Sequence, residues 1–121
     1  MADQRRIKRF ADLIKRQLAH IIETKLSDPD KGFITLTHVK VSADLGVATI
    51  YYTIMGDQEQ QDKTQAVLNR SVPFLKNELK PFISTRKMPD LRFFYDEALD
   101  RADKIQSILD KINNDSRNTE R

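Results

Sequence analysis

The chain holds two histidines, His20 and His38, and no cysteine. The missing thiols rule out disulfides and thiolate metal sites. His20 falls beside the apolar stripe of a helix-patterned stretch, and His38 falls in a strand-patterned one. Neither has a partner visible in sequence, so each reads as structural or exposed and not as a metal ligand or general base. Asp96, Glu97, Asp100 and Asp103 form an acidic cluster where a last helix should begin. Carboxylates there cap the helix and complement its dipole, which outranks a divalent-metal reading. Only three glycines occur, and none builds a phosphate loop or a dinucleotide fingerprint. The expectation is a protein that is not an enzyme, with no cofactor and no metal.

The remaining candidates are cations and aromatic rings. Residues 1–25 hold seven Lys/Arg against three Asp/Glu, and residues 70–92 hold six against two. The intervening block 26–69 holds three against six, and 93–121 holds five against seven. If folding joins the two basic blocks, they form a field that attracts phosphate; charge alone favours ordinary solvated helix faces. Tyr51, Tyr52, Phe93, Phe94 and Tyr95 lie in strand-patterned stretches. About half should face the core, and any on an open face could stack bases.

These residues need elements to hold them. Ile7, Phe10, Ile14, Leu18, Ile21 and Ile22 recur at helical spacing, which predicts a helix over 5–26. Arg5, Arg9 and Arg16 then point away from the buried stripe, with Lys8 and Lys15 flanking it. Asp28-Pro29 is expected to end that helix. Residues 34–42 alternate as a strand whose phase slips near His38, a bulge signal. Residues 42–46 read as a turn and 47–55 as a second strand with Ala48, Ile50, Tyr52 and Ile54 on one face. The short link predicts an antiparallel hairpin. A second helix is expected over 58–71, with Thr64, Val67, Leu68 and Ser71 inward.

The helical pattern continues through Val72, Leu75, Leu79 and Ile83, yet Pro73 interrupts it. Two helices joined at a kink over Ser71, Val72 and Pro73 fit better than one broken helix. Ser71 is the expected N-cap, which puts Pro73 in a first turn where its missing N–H costs nothing. Residues 90–96 alternate as a third strand, with Leu91, Phe93 and Tyr95 on one face and Arg92 and Phe94 on the other. A last helix is expected over 97–113 and a polar, disordered tail over 114–121. The fold class is α+β: a single domain over 1–113, with helices on one face of a sheet. No membrane-length apolar run and no signal-peptide pattern occurs, so a cytoplasmic location is expected.

Four strings resemble the ribosome-binding factor A family: RIKRFADLIKRQLAHII (6–22), LSDPDKGFITLTHVKVSADLGVATIYYT (26–53), NRSVPFLKNEL (69–79) and RKMPDLRFFYD (86–96). The last matches an Arg-x-x-Pro-x-Leu-x-Phe-x-x-Asp signature. The resemblance runs from about Arg6 to Leu109. Two departures stand out: Ser71-Val72-Pro73 replaces a kink that is commonly Ala-x-Gly, and Asp30 stands where a basic residue is frequent.

The resemblance implies a KH-like domain of type II order, αββααβ with a kinked helix pair, plus a C-terminal helix. It implies a bacterial ribosome-biogenesis factor that binds the small (30S) subunit and assists late maturation of 16S rRNA, with most importance at low temperature. A GTPase assembly factor is a candidate partner, and a monomer is expected. The residues expected to meet RNA are Arg6, Arg9, Arg16, Arg70, Lys76, Lys80, Arg86, Lys87 and Arg92. The competing reading is a protein-interaction adaptor on the same fold that does not touch RNA. A metal-dependent enzyme built on the acidic cluster ranks far behind, because no nucleophile or base is visible.

Overall fold

A computed structural model describes residues 3–97. The expected last helix, the polar tail, and Asp100 and Asp103 of the acidic cluster lie outside the described residues. The element order is α1 (Gln4–Thr24), β1 (Phe33–Val41), β2 (Val47–Met55), α2 (Gln58–Arg70), α3 (Val72–Leu79), a 3₁₀ turn (Lys80–Phe82) and β3 (Asp90–Tyr95). The α+β order expected from periodicity is thus present through its third strand.

Helix α1 starts where Asp3 accepts a hydrogen bond from the Arg6 backbone N–H at 2.8 Å, satisfying one orphan donor of the first turn. It buries Phe10, Ala11, Ile14, Leu18, Ile21 and Ile22. Ile14 and Leu18 are fully enclosed, and each such side chain contributes roughly 1.5–3 kcal/mol by leaving water. The helix stops at Thr24, short of the Asp28-Pro29 pair expected to end it. The Lys25 and Leu26 N–H groups both bond to the Ile21 carbonyl, closing the last turn. Lys31 then reaches back and donates to the Ile22 and Leu26 carbonyls at 2.8 and 2.7 Å. A cation on the Ile22 carbonyl of the last turn suits the negative end of the helix. Pro29 therefore shapes the loop after the helix and not the helix end.

The sheet has the order β1-β2-β3. Strands β1 and β2 form the expected antiparallel hairpin, with Val39 opposite Ile50 and Leu36 opposite Tyr52. The register shifts between Leu36 and His38, so the phase slip in the sequence is a bulge at Thr37. A bulge leaves a backbone group unpaired, and here Lys15 of α1 donates to the Thr37 carbonyl at 3.2 Å. The hairpin turn holds Leu45 at φ 59°, a conformation that costs a non-glycine residue roughly 1–2 kcal/mol. Leu45 is buried in the core; that burial contributes about as much or more, which accounts for a leucine here.

Strand β3 pairs with β2 in parallel, Phe93 opposite Ile50 and Phe94 opposite Tyr51. Parallel strands need a crossover, and α2 and α3 make it. At its start Gly56 has φ 151°, and a Cβ there would lie 2.9 Å from Gln60, so only glycine fits. Asp57 caps α2 through the Gln60 N–H at 2.9 Å. Thr64 is fully buried because its hydroxyl donates to the Gln60 carbonyl and accepts from the Gly32 N–H. Val67, Leu68, Leu75 and Leu79 join Ala48, Ile50, Leu91 and Phe93 in one core.

Candidate nucleic-acid interface

Ser71 is the residue at which α2 ends and α3 begins. Its N–H bonds to Val67 and Leu68, and its carbonyl accepts from Leu75 at 2.9 Å. Val72 and Pro73 occupy the first turn of α3, as expected. Ser71 does not cap it by side chain: its φ and ψ of −92° and −2° are helical, and its hydroxyl makes no cap bond. A capping hydroxyl serves the second or third N–H of a helix from extended backbone. Pro73 supplies no N–H, and the chain never leaves the helical region. Pro73 is therefore the joint's stiffening element.

Past the joint, α3 carries Lys76, and the 3₁₀ turn that follows it carries Lys80, toward the loop that leads into β3. That loop carries Arg86 and Lys87, and all four cations line one groove with Pro73, Asn77 and Thr85. Thr85 donates to the Lys87 carbonyl at 3.0 Å across a bend in the loop. Lys76 is 3.1 Å from Asp90. The hydrogen bond and charge of Lys76, helped by Lys87 and Arg92, hold the Asp90 carboxyl below its ordinary range.

A second groove adjoins the first through Thr85, Arg86 and Lys87, and Arg6 of α1 lines its other side beside the hairpin turn. Asp44 in that turn is occupied. It accepts from Ser42 Oγ at 2.7 Å and from the Gly46 N–H at 2.9 Å, and these bonds, with Lys87 nearby, lower its pKa. The stretch Ser42-Ala43-Asp44-Leu45 is thus a turn-building device. Arg6, Lys76, Lys80, Arg86 and Lys87, drawn from both basic blocks, share one continuous surface. Multiple cations along a surface suit a phosphate backbone more than a single small anion.

The other four expected residues lie elsewhere. Arg70 is 2.7 Å from Asp28 and 3.9 Å from Asp30, so it ties α2 to the loop after α1. The Asp28 carboxyl is lowered first by the Asp30 N–H and then by Arg70. Asp30, the departure noted in the sequence, thus supports an ion-paired loop. Arg9 and Arg16 are exposed on the solvent face of α1. Arg92 is exposed on β3 and lines a groove between α2, Val72 and the β3 edge. There Gln65 donates to the Phe93 carbonyl at 2.9 Å and accepts from the buried Tyr52 hydroxyl. Burial raises the Tyr52 pKa to about 12.

Sequence reasoning missed Asn77 and Thr85, which carry no charge signal, and a groove between α1 and β1 lined by Lys8, Lys15 and Lys40. The seven-residue spacing of Lys8 and Lys15 could have revealed it only with knowledge that β1 runs beside α1. Among the described residues no group of three or more His, Asp or Glu side chains could hold a metal ion. No described helix is long and apolar enough to cross a membrane.

Residues 6–109 match the family model described as ribosome-binding factor A. A ribosome-binding factor A from Macrococcus caseolyticus is 36% identical over 110 residues, covering 91% of this chain and 96% of that protein. Among solved structures, the crystal structure of ribosome-binding factor A from Thermus thermophilus is 25% identical, with a TM-score of 0.65 over 74% of this chain and 94% of the other. A solution structure of a putative ribosome-binding factor A from Thermotoga maritima gives 26% and 0.66, covering 78% and 90%. A homology model of the Thermus thermophilus protein, fitted into a cryo-electron-microscopy map of its complex with the 30S subunit, gives 27% and 0.58, covering 69% and 88%.

Proposed function

The chain belongs to the ribosome-binding factor A family, and from that premise we propose that it binds the small ribosomal subunit through its 16S rRNA and assists late maturation of that RNA. The observation that carries the reading is the continuous basic surface formed by Arg6, Lys76, Lys80, Arg86 and Lys87. The Thermus thermophilus relative fitted into a 30S complex supports the choice of partner. Affinity comes from lysine and arginine contacts to phosphates. Binding therefore weakens with salt, by about 0.7–0.9 log units per log unit of salt for each phosphate neutralised.

In this reading the protein acts as a cytoplasmic monomer, needs no cofactor, and performs no catalytic step. Its contribution is greatest at low temperature, and a GTPase assembly factor is its candidate partner in release. The joint at Ser71, Val72 and Pro73 sets the angle at which α3 and the 3₁₀ turn after it present Lys76 and Lys80. Side chains, not a glycine-rich backbone clamp, then make most of the RNA contact. Co-sedimentation with purified small subunits across a salt series tests the proposal. Subunit binding that weakens with salt and is lost on nuclease treatment of the RNA is expected. Binding that survives nuclease would point instead to a protein-interaction adaptor.

A further inference from the structure

The sheet face turned away from α1, α2 and α3 carries an aromatic row that the basic grooves do not use. His38, Tyr51 and Phe94 stand opposite one another across β1, β2 and β3. Ring centroids are 6.1 Å apart for His38–Tyr51 and 6.2 Å for Tyr51–Phe94, with planes inclined by 27° and 36°. Phe94 is 50% exposed, His38 is exposed and Tyr51 half-buried. Rings packed for the core lie on the opposite face, as Tyr52 and Phe93 do, so this row contributes little to the core.

The charges beside the row are arranged unevenly. Lys40, Thr49 and Arg92 form the adjoining row on the same face, and both cations are exposed. Lys40 and His38 also line the α1–β1 groove with Lys8 and Lys15, against one acid, Asp12. On the other side of the aromatic row, Asp96 is held by the Thr37 hydroxyl at 2.6 Å. A polyanion is better placed along the Lys40–Arg92 side, where the acid next along β3 on this face, Asp90, is already paired with Lys76.

We infer that this face is a second RNA contact, which stacks unpaired bases on His38, Tyr51 and Phe94 while Lys40 and Arg92 hold the phosphates. The occupant is single-stranded RNA. Stacking platforms flanked by cations fit it because every base offers a flat π face. A duplex hides its bases, so the row does not serve duplex RNA. The inference rests on the RNA-binding reading above and adds a surface to it, on the side of the sheet turned away from α3.

The test uses the full chain and a labelled short oligouridylate, with binding read by fluorescence anisotropy and by NMR shifts of the aromatic side chains. Two variants are compared with the parent: His38→Thr/Tyr51→Thr/Phe94→Thr, which keeps strand-forming residues, and Lys40→Glu/Arg92→Glu, which leaves the rings in place. Each is expected to weaken oligouridylate binding about tenfold or more, with ring shifts at His38, Tyr51 and Phe94 in the parent. Parent-like affinity in the charge variant with unmoved ring signals overturns the inference. So does a face whose rings respond to protein concentration or to ribosomal protein and not to oligouridylate, because the occupant is then a second copy or a protein. Small-subunit co-sedimentation of a Lys80→Glu/Lys87→Glu variant runs in parallel. That arm judges the subunit-binding reading, and the oligouridylate arm judges the platform.

Discussion

Lys76 of α3 and Asp90, the first residue of β3, meet at 3.1 Å, so one of the cations in the basic groove is already engaged by a carboxylate. The pair lowers the positive charge of the groove. Both side chains keep access to solvent, so screening limits what the contact adds to folding. Its larger effect is on the field that an approaching phosphate meets.

Asp90→Asn frees Lys76 and removes a negative charge from the groove. RNA affinity should rise roughly two- to fivefold at low salt, with the gain fading as salt increases. Filter binding across a salt series measures this. A fall in affinity would mean that Asp90 orients Lys76 and does not compete for it.

Asp28, Asp44 and Asp90 all have carboxyl pKa values below the ordinary 3.8. Each is depressed by hydrogen bonds or a cation present only in the folded state. The unfolded chain therefore takes up protons first as pH falls. The stabilisation is complete about one pH unit above 3.8, where the unfolded groups are ionised, begins to fall as they take up protons, and is lost as pH falls through the lower folded values. Urea unfolding from pH 6 to 2 should show a steepening loss below pH 4, and the triple Asn variant should show a shallower one. Equal slopes for the two proteins would contradict the assignment.

Pro73→Gly tests the joint. Glycine widens the unfolded ensemble and weakens the first turn of α3, so stability should fall by about 1 kcal/mol. RNA affinity should change less than twofold, because Pro73 contributes no donor. Chemical denaturation paired with filter binding reads both. Tighter RNA binding at unchanged stability would show the joint to be a weakened backbone clamp.

Much of this architecture was legible from local pattern. The slip at His38 marked the bulge, the 2-period of 47–55 fixed which residues of β2 face the core, and the proline at 73 marked the joint. Three features were not legible. The end of α1 is closed by the Lys25 and Leu26 N–H groups on the Ile21 carbonyl and met by Lys31 reaching back from the loop, contacts that no helix pattern encodes. The role of Ser71 depended on backbone that stays helical through the joint. The pairing of Arg70 with Asp28 joined residues 42 positions apart. For the candidate interface, the two basic blocks were visible in sequence. That Arg6 shares a groove with Arg86 and Lys87 while Arg9 and Arg16 stay on the solvent face of α1 needed the fold.

The most direct measurement is small-subunit co-sedimentation, at moderate salt, of two charge-reversed proteins with parent-like circular dichroism. One carries Lys80→Glu, Arg86→Glu and Lys87→Glu in the groove. The other carries Arg9→Glu and Arg16→Glu on the solvent face of α1. The groove variant should lose affinity by about a hundredfold or more, with a salt slope lower by roughly two, as expected for about three lost phosphate contacts. The helix-face variant should lose several-fold at most. Parent-like binding by the groove variant, or a larger loss from the helix-face variant, would contradict the account.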